Sequence, residues 1–189
     1  SNSTLSRSQK PIVTDNRSGV TVTVNEGSEV FTTSGDNAIV GKSSTNLTVN
    51  NSGKIYSSAA KAVSFRQGSG ATLSNNSGAT IYAATNTISG NHNDTENATI
   101  TNSGTIYSTD ASTNTIIFGV GSTGNSIVNN AGGEIYTKGT GGTIKLGASS
   151  TLTNSGTIKT GSVSSRAINA AGSNNTITLK DDGKIIGII

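Results

Sequence analysis

The stretch TNSGTIYS, residues 101–108, has close copies at 51–57 (NSGKIYS), 75–83 (NNSGATIYA) and 153–160 (TNSGTIKT). With the Gly of each copy as a marker, the series is Gly27, Gly53, Gly78, Gly104, Gly132, Gly156 and Gly183, with gaps of 26, 25, 26, 28, 24 and 27 residues. A nearly constant period of this size belongs to solenoids, propellers and arrays, where each unit buries against its neighbours what it cannot bury alone.

Within a unit the period is two, the signature of strands. After the Gly comes Val30, Ile55, Ile81, Ile106, Ile135, Ile158 or Ile185, a β-branched column that must point inward. One residue on stand Phe31, Tyr56, Tyr82, Tyr107, Tyr136, Lys159 and Ile186, and the Lys in that series turns the column outward. A second strand ahead of the turn supplies Leu47, Val49, Ile100, Val128, Leu152, Ile177 and Leu179. A third supplies Val63, Phe65, Ile116, Phe118, Ile144, Leu146 and Ile168. Three short strands per unit predict an all-β fold, a right-handed parallel β-helix of about seven three-stranded coils, the hand following from the handedness of parallel crossovers. Stacked at ~4.8 Å, seven coils make a rod roughly 30 Å long. A propeller blade needs about 40 residues and four strands, more than this period supplies. Residues 1–19 lack the repeat and read as an N-terminal linker or cap, or the remnant of an irregular coil. Residues 20–189 read as the β-helix.

Composition agrees with a rod rather than a globule. Of 189 residues 31% are apolar and 4% aromatic, which is thin for a round core. Charge is also low, 12% with a net +3, and Pro occurs once, so the signature of disorder is missing. Lys and Arg are scattered without a cluster, which argues against nucleic acid as a partner. Cys is absent, so thiolate chemistry, disulfides and Cys-ligated metals are excluded. No run approaches the length of a membrane-spanning helix. The chain starts at Ser, has no Met and ends on the apolar KIIGII, which predicts a fragment of a larger protein whose last coil packs under a further one.

Two positions before each marker Gly stand Asn25, Asn51, Asn76, Asn102, Asn130 and Asn154, with Asp181 in the seventh place. An amide both donates and accepts, so stacked Asn side chains predict a structural hydrogen-bonded ladder beside a turn whose Gly takes positive φ. In ATLSNNSGATIY an extra residue leaves either Asn75 or Asn76 as the ladder member. Phe31, Tyr56, Tyr82, Tyr107 and Tyr136 form the candidate binding column: exposed aromatics offer an apolar face and a polar tip to sugar rings or a partner protein, and also stack to stabilise a sheet.

Catalytic candidates are weak. His92, Asp94 and Glu96 alternate in the loop GNHNDTE, but a lone His with two acids in a polar loop is ordinarily solvated, so no metal site and no cofactor is assigned. Lyases and hydrolases built on β-helices need acids converging from adjacent coils. Here Glu26 with Glu29, and Asp181 with Asp182, lie in single coils near opposite ends, so no catalytic residue and no enzyme activity is assigned. Thr-x-Thr at 21–23, 99–101, 151–153 and 176–178 raises ice binding, against which the unequal coil lengths predict an irregular lattice.

Coils such as LTVNNSGKIYS, ATITNSGTIYS and STLTNSGTIKT, followed by NNTITLKDDGKIIG, resemble the passenger domains of monomeric autotransporters of Gram-negative bacteria, over about residues 20–189. The resemblance is one of repeat style and composition. It implies secretion to the bacterial cell surface, with membrane attachment only through a C-terminal β-barrel outside this chain, and a role as an adhesin that binds a host surface protein or glycan, or itself. The alternative is a carbohydrate-active β-helix, either a polysaccharide lyase or hydrolase or a tailspike-like glycan binder. The enzyme would gather acids from two coils into one cleft, which an adhesin does without.

Overall fold

The computed structural model describes residues 7–90, 94–110 and 112–189. Twenty-two strands and no helix make up the described chain. They form three parallel sheets of eight, seven and seven strands, each coil of the chain adding one strand to each sheet. The fold is a parallel β-helix of about seven three-stranded coils, as the repeat predicts.

Each coil begins in what we call the threonine sheet, with strands Thr21–Val24, Thr48–Asn51, Thr72–Asn75, Thr99–Asn102, Ser126–Asn129, Thr151–Asn154 and Thr176–Leu179. A corner leads to the tyrosine sheet, with strands Glu29–Thr32, Lys54–Ser57, Thr80–Ala83, Thr105–Ser108, Glu134–Thr137, Thr157–Lys159 and Lys184–Ile186. Strands of the third sheet, from Ile12–Val13 to Ile168–Ala170, close the triangle. Ahead of the first repeat, Arg7–Ser8 pairs with the tyrosine-sheet strand Glu29–Thr32, and Ile12–Val13 pairs with Ile39–Val40.

The interior is a stack of aliphatic layers. Val30, Ile55, Ile81, Ile106, Ile135, Ile158 and Ile185 are in one-to-one register, and the five isoleucines up to Ile158 are fully buried. Burying an isoleucine is worth roughly 1.5–3 kcal/mol, and the stack repeats this in every coil. In the threonine sheet the inward residue of the fifth coil is Ile127. Val128, expected inside, pairs with Thr101 and faces out, because the strand Ser126–Asn129 keeps its parity with Thr99–Asn102.

The corner between threonine and tyrosine sheets alternates in length. Four residues separate the strands at 25–28, two at 52–53, then four at 76–79, two at 103–104, four at 130–133, two at 155–156 and four at 180–183. The long corners are hydrogen-bonded turns, Ala79 N donating to Asn76 O at 3.0 Å and Gly133 N to Asn130 O at 2.9 Å. Gly78 takes φ 80° there, the third residue of a turn that needs positive φ. In the short corners Gly has a different purpose: a Cβ on Gly104 would lie 2.4 Å from the carbonyl oxygen of Ala79, so Gly is required by close approach of the neighbouring coil.

Two further columns alternate with the same period. The last inward position of the third sheet reads Gly41, Phe65, Gly90, Phe118, and a Cβ on Gly90 would meet the Phe118 ring at 2.6 Å. At the corner entering the threonine sheet the left-handed residues are Gly19, Asn46, Gly70, Asn97 and Gly124. The Asn46 Oδ1 occupies space 2.4 Å from where Gly70 would carry a Cβ, and Asn97 Oδ1 stands 2.5 Å from the same point on Gly124. Over these coils each small residue makes room for a large one stacked on it; beyond Phe118 and Gly124 the alternation of the two columns lapses, with Leu146 and Ser149 in the next places, while the corners go on alternating.

Candidate functional site: a stacked tyrosine row

Register determines the site. Phe31, Tyr56, Tyr82, Tyr107 and Tyr136 pair strand to strand on the outer face of the tyrosine sheet. The rings lie almost parallel, with centroids 4.9, 4.8, 5.1 and 5.0 Å apart and interplanar angles of 8°, 3°, 8° and 3°. Stacking of this kind consumes the ring faces. Each inner ring is sandwiched between two others, leaving ring edges and phenol hydroxyls outward. The platform of aromatic faces on which a sugar ring would lie is accordingly closed by the rings themselves.

The two ends of the row differ. Phe31, expected to be exposed, is 3% exposed: Tyr56 stacks on it, and the strand Arg7–Ser8 pairs with its strand on the other side. At the far end Lys159 takes the next place in the column and holds its ammonium 4.9 Å from the Tyr136 centroid, while Lys138 stands 4.8 Å from that of Tyr107. Such cation–π contacts are worth about 0.5–1 kcal/mol at a solvated surface. Beside the row, Glu29 faces Lys54 at 3.1 Å and Glu134 reaches Lys159 at 3.6 Å, both partly exposed pairs of small energetic weight.

The four tyrosines are half-buried and make no hydrogen bond through their hydroxyls within the described protein. Burial pushes the Tyr82 phenol up from 10.0 to about 12, with Tyr56, Tyr107 and Glu29 adding to the shift. Burial likewise raises Tyr107, against the pull of Lys54, and raises Tyr136, with Tyr107 and Glu134 contributing. Tyr82, Tyr107 and Tyr136 therefore present neutral hydroxyls, each able to donate and accept, at neutral pH.

The asparagine ladder lies inside the corner, and its membership differs from the expected one. Nδ2 of Asn51, Asn75, Asn102 and Asn129 each donates at 2.8 Å to Oδ1 of the next member, the last being Asn154. All five are buried, and their amides also donate to corner carbonyls such as Gly104 O at 3.1 Å and Gly156 O at 3.1 Å. Asn51, Asn102 and Asn154 were expected there. Asn25, Asn76 and Asn130 stand one residue beyond, in the long corners, where counting back two from the Gly misses the ladder by one. Val24 and Leu179 occupy the ladder position in the first and last coils, so Asp181 is also outside it. Asn76 and Asn130 instead tie each long corner to the short one before it, donating to Ser52 Oγ at 2.8 Å and Ser103 Oγ at 2.9 Å.

The remaining candidates do not converge. His92 lies outside the described residues; Asp94 and Glu96 are exposed. Among the described residues no three His, Cys, Asp or Glu side chains gather closely enough to hold a metal ion. Glu26 and Glu29 line a shallow cavity of about 220 Å³ over the first short corner, together with Ser28, Ser52 and Lys54. A larger cavity of about 710 Å³ opens beneath the first coil, walled by Ile12, Val20, Val22 and Val30 with Arg17 at its side, and none of the described residues lining it is an acid. Sequence reasoning missed the lysines over the rings and the ladder member Asn129, and of the two alternatives it left open, Asn75 and Asn76, the structure selects Asn75. The pairing of Glu29 with Lys54 was legible from their equal offset before the aromatic column. No family model, characterised protein or solved structure matches the chain.

Proposed function

We propose that this chain is an adhesive segment of a bacterial cell-surface protein, attaching to a host surface protein or glycan, or to further copies of itself. The observation that carries the reading is the tyrosine row: four equivalent hydroxyl-tipped rings on a rigid scaffold, with no partner for any of those hydroxyls within the described protein. Tyrosine supplies large contact area at low ordering cost, and a rod that already holds it in place loses little further freedom on docking. Equivalent sites spaced along one face add weak contacts into useful avidity. With the ring faces closed by stacking, recognition runs through edges and hydroxyls, as hydrogen bonds to a partner's polar groups. A Cys-free chain of mostly local coil-to-coil interfaces also suits passage through a membrane before folding, with a β-barrel elsewhere in the protein as the tether.

The test is the settling of a non-aggregating bacterium that displays the chain, alone and over surfaces coated with host glycans or matrix proteins. The comparison strain carries Tyr→Ser at Tyr56, Tyr82, Tyr107 and Tyr136, with folding checked by circular dichroism. Settling or attachment lost in the variant supports the reading and identifies self or host as the partner. Neither settling nor attachment by the unaltered chain would overturn it, and attachment unchanged by the four substitutions would remove the row from the contact.

A further inference from the structure

The outer face of the threonine sheet carries a second regular surface, unlike the tyrosine row in every respect. Unequal coil lengths predict an irregular lattice there, but the length differences are taken up in the corners, and all seven strands pair in one-to-one register. One outward column reads Thr21, Thr48, Thr72, Thr99, Ser126, Thr151 and Thr176 without interruption. The second, two residues on, reads Thr23, Asn50, Ser74, Thr101, Val128, Thr153 and Thr178. None of the seven strands contains a charged or aromatic residue, although charged side chains stand on the outer faces of both other sheets.

Two observations bear on what meets this face. Its side chains make a single hydrogen bond within the described protein, Thr151 Oγ1 to Ser126 Oγ at 3.1 Å, whereas buried hydroxyls elsewhere, such as Thr87 and Thr115, donate to backbone carbonyls. The unbonded groups form a two-dimensional grid, about 4.8 Å between strands and about 6.7 Å between alternate residues of one strand. Thr is stiff at χ1, so its hydroxyl and methyl are held in place before anything binds. A protein partner would want aromatic and apolar anchors, and a sugar chain would want aromatic faces or carboxylates; this face has neither. Ten of the fourteen outward positions are Thr, with Asn50, Ser74, Ser126 and Val128 at the others. What fits such an uncharged grid, made mostly of paired hydroxyls and methyls, is a partner that is itself an ordered lattice of hydrogen-bonding groups with methyl-sized openings.

We propose that the threonine sheet binds the water lattice of an ice surface, a role independent of adhesion through the tyrosine row. Charge would disrupt such a layer by orienting water around itself, which accounts for the absence of charge from all seven strands.

The purified 189-residue chain, labelled on its lysines, is the probe: no Lys lies in a threonine-sheet strand, so the label leaves the face clear. The labelled chain should be taken up into a slowly grown ice shell and should slow recrystallisation of a frozen sucrose solution. Thr101→Tyr, which keeps strand preference but raises a ring above the grid, and Thr99→Arg, which adds a charge that the lysine label does not modify, should each lose both effects while melting as the unaltered chain does. The four-fold Tyr→Ser variant should keep them. Exclusion of the unaltered chain from ice overturns the proposal, as does uptake that Thr101→Tyr and Thr99→Arg leave unchanged. Retention on crystalline cellulose or chitin without ice uptake overturns it too, and would make the ordered partner a polysaccharide.

Discussion

Two five-membered columns run along this rod on either side of one corner, and they resolve the same problem in opposite ways. Asn51, Asn75, Asn102, Asn129 and Asn154 are buried, and their amides bond to one another and to corner carbonyls. Phe31, Tyr56, Tyr82, Tyr107 and Tyr136 stack as closely, yet the tyrosines keep their hydroxyls outward without a partner in the described chain. Repetition alone thus does not separate scaffold from surface. The separation comes from whether the polar atoms are satisfied inside the protein: a buried amide without partners would be costly, whereas an exposed hydroxyl is held by water until something displaces it.

Asn102→Ala should have the largest effect, because it strips Asn75 of an acceptor and Asn129 of a donor in a dry corner. A loss of about 3 kcal/mol is expected in urea unfolding. Asn76→Ala, one residue beyond the ladder position, should cost less than about 1 kcal/mol, since its bond to Ser52 is exposed. Equal costs at the two sites would break the assignment of the ladder.

Gly78→Ala comes next, at about 1–2 kcal/mol for forcing a side chain into positive φ. Tyr107→Thr follows at about 1 kcal/mol, for the loss of stacking on both sides, measured by thermal melting. The smallest effect belongs to Lys159→Ala, about 0.5 kcal/mol, because its ammonium–ring contact and its pairing with Glu134 are both solvated.

Alkali sharpens the contrast. A phenol raised in the folded state stabilises the fold fully below its unfolded value of 10.0, and that contribution is lost as pH rises through about 12. The asparagine ladder does not titrate. Melting temperature should therefore fall more steeply across that window for the unaltered chain than for Tyr82→Phe, and identical slopes would sever the row from the alkaline response.

Much of this was legible in the chain. The inward Ile column and the outward aromatic column follow from strand alternation, which is local, and each Ile and Tyr stands where the two-residue period puts it. Ladder membership was legible only in the short corners, where the Asn stands two residues before the Gly, as in Asn51 and Gly53. In the first three long corners the Gly lies three residues past the ladder position, so the same count selects Asn76 over Asn75 and Asn130 over Asn129. The inward assignment of Val128 failed for a related reason: SIVN offers two adjacent apolar residues, and only pairing with Thr99–Asn102 shows that Ile127 matches Ile100.

What the sequence by itself determined was the coil: its period, its three strands, and the alternation that sends Ile inward and Tyr outward, all consequences of short-range backbone geometry. Tertiary structure decided what one coil does to the next. It paired a long corner with a short one, seated Phe118 against Gly90, closed the aromatic faces against each other and aligned the threonines of successive coils in two columns. Those outcomes depend on which residue the neighbouring coil holds at the same height, about 25 residues away in the chain, and packing density settles that pairing where local preference is silent.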